Sequence, residues 1–119
     1  VLEYLKSKNQ FIALGSASKN ARPILEKTNI MHFFDAIVDG NDVSNAKPDP
    51  EVFLRAAQLV GVSNENAIVF EDSVAGIQAA HIAKMISVGI GDATVLHVAK
   101  YNFKDFTFID EAFLSQLIG

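Results

Sequence analysis

An α/β fold built on a parallel sheet covered on both faces is the class this sequence predicts, and three observations predict it. Short apolar blocks recur along the chain at Phe11–Leu14, Asp35–Gly40, Ala67–Phe70 and Met85–Val88. They are continuous rather than alternating, the pattern of strands buried on both sides. Segments with helical spacing separate these blocks, and strands alternating with helices form doubly wound sheets. No repeat, low-complexity tract or linker divides the 119 residues, so a single domain is expected over 1–119.

The elements follow in order. Val1, Leu2 and Leu5 share a helical face beside Glu3, Lys6 and Lys8, and Asn9-Gln10 interrupt it before the first strand, Phe11–Leu14. Gly15-Ser16-Ala17-Ser18 reads as a turn, and Ala21–Thr28 as a second helix with Pro23 in its first turn. Asp35–Gly40 is a strand ending in turn residues, and Asn41–Pro50 is a polar loop with two prolines. Glu51–Val60 is the clearest helix, with Pro50 suited to its start and Gly61 to its end. Ala67–Phe70 is a buried strand stopped by Glu71-Asp72-Ser73, after which Val74–Ala83 reads as helix and Met85–Val88 as strand. Gly91–Lys104 carries no clear pattern. Phe106–Ile109 is read as a last strand before the amphipathic helix Glu111–Ile118.

Composition narrows the function. Half the residues are apolar, enough for an ordered core. A net charge of −4, from 10 Lys and Arg against 14 Asp and Glu, provides no cationic surface for nucleic acid and no polybasic membrane patch. There is no Cys, which removes disulfides and thiolate metal sites and permits a reducing compartment, so a cytoplasmic location is expected. No apolar run reaches the ~20 residues of a membrane span. His32, His81 and His97 lack ligand spacing, and Gly89-Ile90-Gly91 has no third glycine for a dinucleotide loop.

In open parallel sheets, ligands collect beyond the carboxyl ends of the strands. Three such positions have distinctive chemistry. Glu71-Asp72 places two carboxylates at the end of one buried strand, where they repel unless a cation compensates them. Mg²⁺ suits them, because it takes one or two protein carboxylates together with phosphate and water. Lys47, in the stiff loop Lys47-Pro48-Asp49-Pro50, could pin a phosphoryl oxygen and offset its charge. Ser16, Ser18, Lys19 and Asn20 open a helix, where hydroxyls and backbone N–H groups donate to phosphate. Taken singly, each has a plainer reading: Asp72 or Ser73 as a helix N-cap, Lys47 pairing weakly with Asp49 or Glu51, and a serine cap at 16–18.

The trio in this order resembles the haloacid dehalogenase superfamily, whose later motifs are a Ser or Thr after a strand, a Lys in a loop and an acidic pair ending another strand. The wording Ser16-Ala17-Ser18-Lys19-Asn20, Lys47-Pro48 and Phe70-Glu71-Asp72-Ser73-Val74-Ala75-Gly76-Ile77-Gln78-Ala79 is similar to its β-phosphoglucomutase-like branch. The resemblance covers nearly the whole chain and weakens after Gly91. It implies a Rossmann-like core in which Ser16 hydrogen-bonds the transferring phosphoryl group, Lys47 neutralises it, and Glu71 and Asp72 hold Mg²⁺. Ser16 and Lys47 would be catalytic. Ser16, Ala17, Ser18, Lys19, Asn20 and Lys47 would bind a sugar phosphate, with 18–20 gripping a second, distal phosphate.

The activity implied is conversion of β-glucose 1-phosphate to glucose 6-phosphate through a bisphosphate and an aspartyl-phosphate. The alternatives are a sugar-phosphate phosphatase of the same superfamily or a non-catalytic binding or assembly fragment. The family's first motif, Asp-x-Asp after an N-terminal strand, has no match, and neither has its helical cap domain. The core is therefore expected to be incomplete, the C-terminal part of a longer chain, with little activity alone. The missing strand would lie between the strand ending at Gly15 and the one ending at Glu71, leaving two inner edges unpaired until an upstream segment completes the sheet.

Overall fold

The computed structural model describes residues 2–15 and 33–118. The short helix α1 (Leu2–Ser7) leads to β1 (Ala13–Gly15), and β2 (Ala36–Val38), α2 (Glu51–Val60) and β3 (Ile68–Glu71) follow. Then come α3 (Val74–Ile82), β4 (Ile86–Ile90), β5 (Tyr101–Phe103) and α4 (Glu111–Ile118). The expected helix Ala21–Thr28 lies outside the described residues.

All pairings among the described residues are parallel, as the apolar blocks predict. β1 runs beside β2 with Ala13 opposite Ala36 and Gly15 opposite Val38. β3 pairs β4 with Ile68 opposite Ile86 and Glu71 opposite Gly89, and β4 pairs β5 from Val88–Tyr101 to Ile90–Phe103. These make two separate ladders, β1-β2 and β3-β4-β5. Among the described residues β1 and β3 do not pair.

Each face is packed. On one side Val52, Phe53, Ala56 and Ala57 of α2 meet Ala79, Ala80 and Ala83 around α3, and both close over Val38 and Val69. α2 ends at Gly61 with φ 72, a left-handed turn that suits glycine, and its N–H reaches back to Gln58. α3 is a run of small apolar residues that buries Gly76, Ile77, Ala79 and Ala80, consistent with a helix sunk between neighbours. On the other side Ile109, Phe113 and Leu114 pack with Tyr4 and Leu5 against Val88 and Ile90. Phe113 stands edge-on to Tyr101 and Phe103, with ring centroids 5.3 and 4.8 Å apart.

Polar anchors hold the joints. Asn9 adopts φ 59, which turns the chain out of α1. Lys6 donates to Asp35 at 2.6 Å, and the same carboxylate accepts the Ile12 N–H at 2.7 Å, tying the entries of β1 and β2. The Lys6 hydrogen bond and that N–H hold the Asp35 carboxyl below its ordinary range. Ser87, fully buried in β4, accepts the Lys100 N–H at 3.0 Å and pairs with His81 Nε2 at 2.7 Å.

The end of the chain differs from the sequence reading. Phe106–Phe108 is a 3-10 turn, and the last strand is Tyr101–Phe103 inside the stretch that carried no clear pattern. The reason is local: Asp105 accepts the Thr107 N–H at 2.8 Å and the Thr107 hydroxyl, which closes a turn and leaves Phe106 and Phe108 half exposed. Aromatic and polar residues alternate on both sides, in Tyr101–Phe103 and in Phe106–Phe108, and only the doublet Lys104-Asp105 marks the stop between them.

Candidate phosphate and metal site

β1 and β3 both end at one rim, and the gap between the two ladders opens there as a cleft of about 660 Å³. Leu14 and Gly15 form one wall, and Phe70, Glu71, Asp72 and Ser73 the other; Lys47 enters from the loop before α2. Ile90 and Phe106 add apolar surface, and the Phe70 and Phe106 rings stand 6.0 Å apart.

The loop that delivers Lys47 is tied by its acidic neighbours. Glu51 Oε1 accepts the N–H groups of Ser44 and Asn45 at 2.6 and 2.8 Å, and Asp49 Oδ1 accepts that of Glu51 at 2.9 Å. The Lys47–Pro48 peptide is cis. Asp49 and Glu51 therefore shape the loop rather than pairing with Lys47. The ammonium instead crosses to Glu71 Oε2 at 2.6 Å, approaches the Gly15 carbonyl at 3.4 Å and lies 5.0 Å from the Phe53 ring centroid.

Glu71 is held on all sides. Its Oε1 accepts the N–H groups of Asp72 and Ser73 at 3.0 and 3.2 Å and the Ser73 hydroxyl at 3.1 Å. Ser73 is also the N-cap of α3, its Oγ accepting the Gly76 N–H at 3.0 Å. Burial pushes the Glu71 carboxyl up, but the hydrogen bond and charge of Lys47 outweigh it, and the net position is below the ordinary range. Asp72 moves the other way: the neighbouring Glu71 carboxylate first, then burial, raise its carboxyl.

The structure thus brings Lys47, Glu71 and Asp72 into one cleft, with Gly15 at its edge. Ser16, Ala17, Ser18, Lys19 and Asn20 lie outside the described residues. Among the described residues no cluster of three His, Asp or Glu forms a ready metal cage. A Mg²⁺ ion fits the donor set in a narrower way. Asp72 is exposed and its charge is opposed by a neighbouring carboxylate, whereas both Glu71 oxygens already have donors. In the sequence Ser73 reads only as a helix cap, and its hydroxyl bond to Glu71 emerges with the fold. Phe106, expected in a strand, lies in a turn, for which the Asp105-Phe106-Thr107 spacing is the sign in the sequence.

Comparison with known proteins identifies the family and the fold. Residues 1–90 match the haloacid dehalogenase-like hydrolase family. The chain is 44% identical over 87 residues to a β-phosphoglucomutase of Bacillus subtilis, covering 73% of this chain and 38% of that protein. It is 40% identical over 79 residues to a fructose-1-phosphate phosphatase of Escherichia coli, covering 66% of this chain and 42% of that one. The crystal structure of β-phosphoglucomutase from Clostridium difficile superposes with TM-score 0.93 at 37% identity, over 98% of this chain and 52% of its own. The chain therefore spans about two fifths of the curated relatives it matches.

Proposed function

The chain belongs to the haloacid dehalogenase-like hydrolase family, and on that premise we propose that it supplies the phosphate- and magnesium-handling side of a sugar-phosphate phosphoryl-transfer enzyme, a β-phosphoglucomutase in the first instance. One observation carries the reading. Lys47, 24 residues before Glu71, is delivered across the cleft to the same rim as Glu71 and Asp72.

In this reading the ammonium of Lys47 draws a phosphoryl oxygen to the rim and offsets its charge, while Glu71 fixes where that ammonium stands. Asp72 would be the protein carboxylate for Mg²⁺; with Glu71 committed to Lys47, it contributes through the ammonium rather than as a free ligand. Mg²⁺, when bound, neutralises charge that builds on the phosphoryl oxygens. Ser16 would donate to the phosphoryl group, and Ala17, Ser18, Lys19 and Asn20 would bind the distal phosphate that a mutase must retain. The nucleophilic aspartate would come from a segment that also fills the space between β1 and β3, so 1–119 acts as part of a core domain and turns over little by itself.

The test has two stages. Inorganic phosphate and Mg²⁺ are titrated into the chain and its Lys47→Met and Asp72→Asn variants; phosphate binding that survives Lys47→Met unchanged sinks the site. A longer polypeptide that includes an upstream Asp-x-Asp segment is then given β-glucose 1-phosphate and Mg²⁺. Glucose 6-phosphate as product supports the mutase, whereas glucose with free phosphate supports the phosphatase, the activity named for the Escherichia coli relative.

A further inference from the structure

Gly76 stands in the first turn of α3, buried, and its backbone gives no reason for glycine, since the glycines with positive φ among the described residues are Gly61 and Gly91. Glycine also weakens a helix relative to alanine. The reason is spatial. A Cβ at position 76 would fall 2.0 Å from Cδ, 2.1 Å from Cγ and 2.1 Å from Oε2 of Glu71. The carboxyl group of Glu71 fills the volume that any side chain at 76 would need.

We propose that Gly76 is a positioning residue: the empty space above its Cα lets Glu71 fold back over the first turn of α3 and present Oε2 to Lys47. The contacts on Glu71 form a closed set around that space. Oε1 takes the Asp72 and Ser73 N–H groups and the Ser73 hydroxyl, and that hydroxyl oxygen accepts the Gly76 N–H. A methyl group at 76 displaces the carboxylate from this set, and Lys47 then loses the 2.6 Å partner that fixes its ammonium in the cleft. The three nearest atoms all belong to one flexible side chain, which can swing away, so the fold tolerates the change while the site does not. The consequence for phosphate rests on the reading of Lys47 as the phosphate-binding cation. The geometric role does not.

The experiment compares the chain with Gly76→Ala, Glu71→Ala and the double variant, reading amide hydrogen exchange at Asp72 and Ser73, the thermal midpoint and inorganic phosphate binding. Gly76→Ala is expected to speed exchange at those two amides about ten-fold, the effect of losing a charge-assisted hydrogen bond. Its midpoint should fall, but less than that of Glu71→Ala, because the better helix former offsets only part of the lost pair. In the Glu71→Ala background the same substitution should change exchange no further. Unchanged exchange in Gly76→Ala overturns the proposal, as does an equal loss of midpoint in both backgrounds, which would mark a glycine needed for helix packing. Should Gly76→Ala not fold, a folded double variant supports the proposal and an unfolded one overturns it. Phosphate binding about ten-fold weaker in Gly76→Ala extends the role to the ligand, and binding equal to the parent's removes that extension. No phosphate binding by the parent sinks the proposed function alone, since the exchange data still decide the role of Gly76.

Discussion

Replacing Lys47 by methionine keeps a flexible apolar stem beside Phe53 and removes only the ammonium, which makes it a clean probe of the pair with Glu71. The two side chains are 14% and 8% exposed, so the pair is largely out of water. Removing one partner of such a pair costs about 3–5 kcal/mol when the other charge is left bare. Neither charge is left wholly bare here, and the two losses are unequal. Glu71 without Lys47 retains three donors and the positive end of α3, so Lys47→Met should cost about 1–2 kcal/mol. Lys47 without a carboxylate retains one carbonyl at 3.4 Å and a ring face, so Glu71→Gln should cost about 2–3 kcal/mol. The double variant should lose less than the sum, with a coupling of about 1.5 kcal/mol. Urea unfolding followed by circular dichroism at pH 7 measures all four corners, and high salt should weaken the coupling only in part because the pair is shielded. A coupling under about 0.5 kcal/mol, or Lys47→Met costing more than Glu71→Gln, would refute the reasoning.

Asp72→Asn should alter the acid side of the stability curve. A carboxyl raised in the folded state opposes folding when ionised, and that cost is relieved as pH falls through its folded value toward the ordinary 3.8. Glu71, lowered in the folded state, has the opposite sign: its contribution is complete above 4.5 and is lost as pH falls through its folded value. Thermal midpoints from pH 7 to 3 should therefore show a small rise before the acid loss in the parent and none in Asp72→Asn. Because Asp72 is exposed, the rise should stay within a few tenths of a kcal/mol. Mg²⁺ should raise the midpoint of the parent and not of the variant; an equal rise in both removes Asp72 from the metal. Gly89→Ala should destabilise by about 1–3 kcal/mol in urea. Its Cβ would meet Asn102 Oδ1 at 2.6 Å and the Cβ atoms of Leu96 and Ala99 at 3.1 and 3.3 Å, and a neutral outcome contradicts that packing.

Where hydrophobic pattern and turn chemistry agree, the sequence was enough. Glu51–Val60 with its Gly61 stop is present as read, and the strand read at Ala67–Phe70 is present one residue further on, at Ile68–Glu71, because an apolar helix face and a buried strand leave few other solutions. The Ser73 cap was legible for the same local reason. Tyr101–Phe108 was not, since the same aromatic-polar-aromatic pattern occurs in the strand Tyr101–Phe103 and in the turn Phe106–Phe108, and the stop depends on one Asp105 carboxylate capturing Thr107. The partner of Lys47 was not legible either. Asp49 and Glu51 are its near neighbours in sequence, yet both carboxylates are occupied by backbone N–H groups of their own loop. Only the folding of that loop frees the ammonium for a carboxylate on another strand. Gly76 stood in view as a helix residue, but its reason lies in the rotamer of a side chain five positions earlier.

The same ammonium has a second consequence for the fold. Among the described residues the two ladders do not pair with each other, and the links between them there lie outside the sheet. On one face the layer of α2 and α3 is such a link, since its core includes Val38 of β2 and Val69 of β3. At the rim, Lys47 reaches from the Gly15 carbonyl that ends β1 to the Glu71 carboxylate that ends β3. The group that faces the cleft is thus also a polar link across the gap. A site built this way ties stability to ligand geometry: any change that draws Lys47 off Glu71 alters the width of the cleft as well as its charge. For that reason an unfolding cycle on Lys47 and Glu71 reports on the site even where no turnover is measured, and phosphate binding should narrow the difference between the parent and its less stable variants only where Lys47 is retained.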